Sequence, residues 1–160
     1  MRVIIFHRKI GLVLQQTQLG LLAMAFSGST EDRLAIHELV MSYGDAVTRK
    51  DAQAWGETWA ENATWRIPSF PALAFTEGRG AIVKSWLGAM EGFKQIVFTA
   101  TLGSLCVDGD IASGVTYTQE LGIDQEDTKS LVAGRYDDEF VKVKGRWYFQ
   151  DRTYTPLDVR

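Results

Sequence analysis

Apolar positions change their period part-way along the chain, and that change divides it. Leu34, Ile36, Leu39, Val40, Tyr43 and Val47 recur at a helical spacing. They predict a helix that begins near Thr30, after the capping run Ser27-Gly-Ser-Thr-Glu-Asp, and ends near Thr48. Asp51 restarts a second helix that carries Trp55 and Trp59 as an i, i+4 pair and stops at Asn62. Ala63-Thr-Trp-Arg-Ile67 then alternates as a strand. A break at Gly78 to Gly80 precedes a third helix, marked by Ile82, Val83, Trp86, Leu87 and Met90 and ending near Gly92. Beyond it the period is that of strands: Val97 to Val107, a turn at Asp108-Gly109, Ile111 to Leu121, a loop over Gly122 to Asp127, Leu131 to Val143, a turn at Lys144-Gly145, and Trp147 to Tyr154. Helices first and an antiparallel meander afterwards predict an α+β fold, with three helices covering one face of a curved sheet.

Composition narrows the partners. The chain has 160 residues, 46% hydrophobic and 23% charged, which suits one globular domain. A net charge of -3 and scattered lysines and arginines argue against a nucleic-acid surface. The lone Cys106, in the apolar run Leu105-Cys-Val, reads as a buried small hydrophobe. His7 and His37 are far apart and no Cys/His cluster exists, so neither a metal nor a cofactor is expected.

Residues 1–28 form an extension outside the domain expected over residues 29–160. Basic residues at Arg2, Arg8 and Lys9, two apolar stretches and Ala23-Met-Ala25 follow the order of a secretory signal, but Gln15 to Gln18 interrupt the apolar core. The stretch is too broken for a stable membrane span. Two localisations stay open: cytoplasmic, or exported if residues 1–25 act as a signal.

The segment from Asp32 to Ile67, together with Gly134-Arg-Tyr-Asp-Asp-Glu-Phe-Val-Lys and Gly145-Arg-Trp, resembles the SnoaL-like branch of the nuclear transport factor 2-like superfamily. The resemblance runs from Thr30 to Tyr154. It implies a cone-shaped α+β fold around a cavity, shared by scytalone dehydratase, lindane dehydrochlorinase, ketosteroid isomerase and non-catalytic binders. The small subunit of aromatic-ring dioxygenases shares it too, though no feature here singles that role out. Fold alone therefore assigns no activity.

Carried over residue by residue, the dehydratase pattern fails. Its aspartate near the end of the first helix matches Thr48, and its histidine matches Lys94. The isomerase pattern goes further: Tyr43 matches its tyrosine and Asp138 its late-strand acid, but the proton-moving carboxylate falls at Ile67. The pair Asp151-Arg152 is similar to part of the limonene epoxide hydrolase site, whose second Arg-x-Asp has no counterpart in Thr118-Gln-Glu-Leu.

Tyr43 and Asp138 are thus the candidate catalytic residues. Tyr43 is either a core residue or a pocket donor, and Asp138 either half of a structural ion pair, with Arg135, Arg152 or Tyr43 as partner, or a functional acid. The candidate pocket residues are Thr48, Trp59, Trp65, Phe98, Tyr117 and Tyr136. Asp45 and Lys94 are expected at the surface, and His37 on the helix surface or packed beside the stripe. Taken together, the residues favour a binder of a small hydrophobic molecule that lacks the usual catalytic dyad. The alternative is a lyase or isomerase, of dehydratase or polyketide cyclase type, acting on a cyclic hydrophobic substrate. Val, Thr and Tyr on the outward faces of the strands at 97 to 105 and 111 to 121 suggest a homodimer or homotrimer.

Overall fold

The computed structural model describes residues 25–159; of the signal-like residues 1–25, all but Ala25 lie outside them. The elements are β1 (Phe26–Ser27), α1 (Thr30–Arg49), α2 (Ala52–Gly56), β2 (Trp59–Arg66), a 3-10 turn (Pro71–Leu73), β3 (Thr76–Glu77), α3 (Arg79–Met90), β4 (Phe93–Asp108), β5 (Ile111–Asp124), β6 (Lys129–Val143) and β7 (Arg146–Val159). The strands form one curved, unclosed sheet in the order β1-β4-β5-β6-β7-β2-β3. It is antiparallel except where β1 meets β4 and β2 meets β7. Three helices cover its inner face, so the α+β architecture stands. Among the described residues no helix is long and apolar enough to cross a membrane.

Local chemistry explains where α1 starts and how it is docked. Ser29 caps it, its hydroxyl accepting from the Asp32 backbone N–H at 3.0 Å. Asp32 in turn receives Lys142 Nζ at 2.8 Å and the Trp147 indole N–H at 2.9 Å, so the acidic first turn is tied to β6 and β7. These bonds and that from Ser29 hold the Asp32 carboxyl down at about 2. Ile36, Leu39, Val40, Tyr43 and Val47 form the buried stripe. Leu34, read as part of that stripe, is exposed.

Two expectations need correction. Helix α2 does not reach Trp59. It ends at Gly56 because the Thr58 hydroxyl donates to the Trp55 carbonyl at 2.7 Å and the Thr58 carbonyl accepts from the Phe149 N–H at 2.9 Å, drawing the chain into the sheet beside β7. Trp59 is therefore the first residue of β2, and Asn62 lies within that strand. The two indoles still meet, with centroids 5.4 Å apart, across a helix-to-strand corner.

Cys106 is also not buried. The β4–β5 register shifts between Leu102 and Ser104, which turns Leu105 inward and Cys106 outward, where its sulfur accepts from the Ser27 hydroxyl at 3.1 Å. At this shift the Tyr117 ring lies over Gly103, where a Cβ would come within 2.7 Å of it. The sheet's first strand, residues 26–27, precedes the boundary expected at residue 29.

Candidate functional site

Helix α1, α3, the inner face of the sheet and the loop after β2 enclose a cavity of about 600 Å³. Its wall is aromatic: Tyr43 from α1, Trp65 from β2, Trp86 from α3, Phe93 and Phe98 from β4, Tyr136 from β6 and Tyr154 from β7. Phe70 and Leu73 of the loop and Gly88 and Ala89 of α3 line it as well. The loop is closed by a bond from the Ile67 N–H to the Leu73 carbonyl at 2.9 Å, and Phe70 is well exposed beside the cavity. A shallower trough of about 460 Å³ runs over the outer face of the sheet past Asp137, Glu139 and Asp151. It has no aromatic wall, so the inner cavity is the candidate site.

A charge lies against this wall. Arg152 is almost fully buried, its guanidinium carbon 4.4 Å from the Tyr43 ring centre, 3.9 Å from that of Tyr136 and 4.0 Å from that of Phe149. Its Nε donates to Asp138 Oδ1 at 2.7 Å and its Nη2 to Oδ2 at 3.2 Å, while the Thr116 hydroxyl donates to Oδ2 at 2.6 Å. Burial pushes the Asp138 carboxyl up, and Arg152 and Thr116 partly offset that rise. Burial likewise disfavours the arginine's charge, but Asp138 more than restores it, so the guanidinium stays cationic.

Strict alternation along β7 would not put Arg152 there. The β6–β7 register shifts between the Phe140–Phe149 and Glu139–Asp151 pairs, so Gln150 is the extra residue of a bulge. The bulge carries the inward parity from Trp147 and Phe149 over to Arg152 and Tyr154. It sets Arg152 directly opposite Asp138.

One carboxyl opens onto the cavity. Glu120 of β5 sits between Phe98 of β4 and Val132 of β6 in the ladder, and all three line the wall. It makes no hydrogen bond or ion pair among the described residues. Burial raises its pKa from 4.5 to about 7, with the Arg152 charge acting in the opposite direction. Burial also raises the pKa values of Tyr43, Tyr136 and, to about 12, Tyr154, so all three stay neutral donors near pH 7. The Trp65 indole N–H donates to the Tyr136 hydroxyl at 3.3 Å, which leaves the tyrosine's own proton to be given elsewhere.

The candidate residues separate accordingly. Tyr43, Trp65, Phe98 and Tyr136 are on the cavity wall, as is Ile67. Asp138 is off it and engaged by Arg152, so Tyr43 and Asp138 do not converge on the open space; the guanidinium links them. Thr48 is exposed, and its hydroxyl accepts from the Phe98 N–H at 3.0 Å, joining α1 to β4. Trp59 is fully buried beside Tyr43 and Trp65 without lining the cavity. Tyr117 is half-exposed on the outer face. Lys94 is exposed and pairs with Asp127 at 2.6 Å, Asp45 pairs with Arg49 at 2.9 Å, and His37 is exposed.

The sequence reading missed Glu120 and Tyr154. The available signal was the alternation Thr116-x-Thr118-x-Glu120. It was masked because the opposite parity, Val115, Tyr117 and Leu121, is the more apolar one. Among the described residues no three histidine, cysteine or acidic side chains come together as a cation site would need.

Comparison with known proteins agrees with this architecture. The model of the SnoaL-like domain matches residues 28–153. A hexachlorocyclohexane dehydrochlorinase, LinA type 2, superposes with a TM-score of 0.72 at 19% identity, covering 81% of this chain and 88% of that one. A protein described provisionally as a scytalone dehydratase from Novosphingobium aromaticivorans gives 0.69 at 19% identity over 81% and 86%. Another from that organism, described provisionally as an aromatic ring hydroxylase, gives 0.74 at 23% identity over 84% and 95%. At such identities the likeness is one of fold. No curated protein matches the chain.

Proposed function

The chain belongs to the SnoaL-like domain family, and from that membership and the character of its cavity we propose that it binds a small, ring-shaped, mostly apolar molecule carrying a hydrogen-bond acceptor. The observation that carries this reading is the aromatic wall of a cavity of about 600 Å³, with neutral tyrosine hydroxyls and one carboxyl as its polar groups. A cavity of this size takes two or three fused rings. Flat aromatic walls suit such rings, and the hydroxyls of Tyr43 and Tyr136 suit a carbonyl or ether oxygen. A second reading, a lyase or isomerase acting on a cyclic hydrophobic substrate, is favoured by one observation, the unpaired carboxyl of Glu120 on the wall. The dehydratase dyad is not part of either reading, since Thr48 and Lys94 stand at its matched positions.

Isothermal titration tests the binding. The bicyclic ketone 2-tetralone should bind with a Kd on the order of 10–1000 µM, the range that its small size allows. Gly88 lines the cavity, and a Cβ added there meets nothing within 4 Å. Gly88→Trp should therefore set an indole against the cavity at its α3 wall and weaken or abolish binding while the fold melts normally. No heat with 2-tetralone or related ring ketones, or unchanged binding in Gly88→Trp, would refute the reading.

Self-association through the outer face of the sheet is part of the same proposal. Val97, Leu121 and Leu131 face one another across β4, β5 and β6, at 39%, 45% and 47% exposure. Such an apolar row on a sheet face suits a second or third copy of the chain.

A further inference from the structure

We propose that Glu120 is a proton-transfer residue, and that the cavity moves a proton at a carbon adjacent to the carbonyl of a small cyclic ketone. The inference rests on the binding reading and gives the bound molecule a reaction. Two buried or half-buried carboxyls lie on the inner face of β5 and β6, and they are treated differently. Asp138 is held by three hydrogen bonds from Arg152 and Thr116, as a structural charge should be. Glu120 has none, and it opens onto aromatic space in which an unpaired carboxylate is costly. No hydrogen bond offsets that cost, and the already-engaged Arg152 charge offsets it only in part, which marks the carboxyl as a candidate for chemistry.

The groups facing Glu120 supply the rest of the device. They are Tyr43 from α1, Tyr136 from β6, and Tyr154 and Arg152 from β7. Arg152 is already engaged by Asp138, so it biases Glu120 without quenching it. Tyr136, whose hydroxyl accepts from Trp65 and interacts with the Tyr43 hydroxyl, would turn its proton from Tyr43 to a ligand oxygen. The position matched by the isomerase base is Ile67, so the carboxyl comes from a different strand, β5, across the same cavity.

The step balances without an added reactant. The Glu120 carboxylate takes a proton from the carbon next to the carbonyl. The pair of electrons of the broken C–H bond forms the carbon–carbon double bond of an enolate, whose oxygen carries the charge and accepts a hydrogen bond from Tyr136. The protonated Glu120 returns the proton to the same carbon or, in a conjugated ring, to a more distant one, which shifts the double bond. A carboxyl half-ionised near pH 7 suits both halves of this exchange.

Deuterium exchange into 2-tetralone, followed by proton NMR in D2O, tests the step, with the Kd of each protein measured by titration. Wild type should speed exchange over buffer. Glu120→Gln should slow it by about 10²–10³-fold with the Kd within about threefold of wild type. Tyr136→Phe should slow it by about 10²-fold. The wild-type rate should climb with pH and level off above about 7. Should Glu120→Gln fail to fold, that wild-type profile decides, and a rate with no inflection between pH 5 and 9 overturns the proposal. Bound 2-tetralone that exchanges no faster than in buffer, or equally fast in Glu120→Gln, overturns the proton transfer and leaves the binding reading intact. Failure to bind 2-tetralone at all overturns both.

Discussion

Replacing Asp138 with asparagine removes the counter-charge of a cation that cannot leave the core. Arg152 is 1% exposed and Asp138 2%, and the carboxylate receives bonds of 2.7, 3.2 and 2.6 Å. An arginine does not deprotonate in a protein, so Asp138→Asn leaves a buried charge facing a neutral amide. Breaking one side of such a pair costs roughly 3–5 kcal/mol. A folded unit of about 130 residues unfolds with an entropy near 0.3 kcal/mol/K, so the Tm should fall by about 10–17 °C. Removing both charges should behave differently. Asp138→Leu with Arg152→Met gives up the stacking on Tyr43, Tyr136 and Phe149 but no longer strands an ion, and should melt well above the single variant. Scanning calorimetry at pH 7 reads both. An Asp138→Asn Tm within 3 °C of wild type, or a double variant no better than the single, would refute the view that Asp138 is structural.

The pH dependence at Glu120 has the opposite sign to that of an ordinary ion-paired acid. Its folded pKa of about 7 lies above the ordinary glutamate value of 4.5, so the folded state binds more protons in between, and stability falls as pH rises across that window. The loss reaches at most ~3 kcal/mol and is reduced by solvent in the open cavity. Glu120→Gln should therefore melt higher than wild type at pH 8 and equally at pH 4, by circular dichroism, and a variant less stable at pH 8 would contradict this. For self-association, light scattering after size exclusion at micromolar concentration should give a dimer or trimer, and Leu121→Lys should yield the monomer. A monomeric wild type would end that proposal.

Much of the fold was legible because the local signals agreed with one another. The Ser29 cap with Asp32 in the first turn, the stripe from Ile36 to Val47, and the turns at Gly109 and Gly145 each point to elements observed where they were expected. What was not legible came from pairing between distant strands. Trp59 fits a helical i, i+4 pattern, and only the bond between Thr58 and Phe149 commits it to β2. The shift near Gly103 reverses Cys106, and the bulge at Gln150 brings Arg152 inward. The site suffered in the same way. Tyr43, Trp65, Phe98 and Tyr136 could be read from stripe and alternation, whereas on β5 the more apolar parity faces outward, so Tyr117 stood in for Glu120. Asp138 was recognisable as an inward acid, but its partner depended on a register that local pattern does not encode.

The central claim is that small ring ketones occupy the aromatic cavity, and the five tryptophan indoles make it directly observable. In a two-dimensional nitrogen–proton NMR titration with 2-tetralone, the Trp65 indole signal should move most, because Trp65 lines the cavity and donates to Tyr136. The Trp147 signal should stay fixed, since that indole is bonded to Asp32, away from the wall. A titration that moves Trp147 and leaves Trp65 unchanged, or that moves no indole at saturating ligand, would contradict the account.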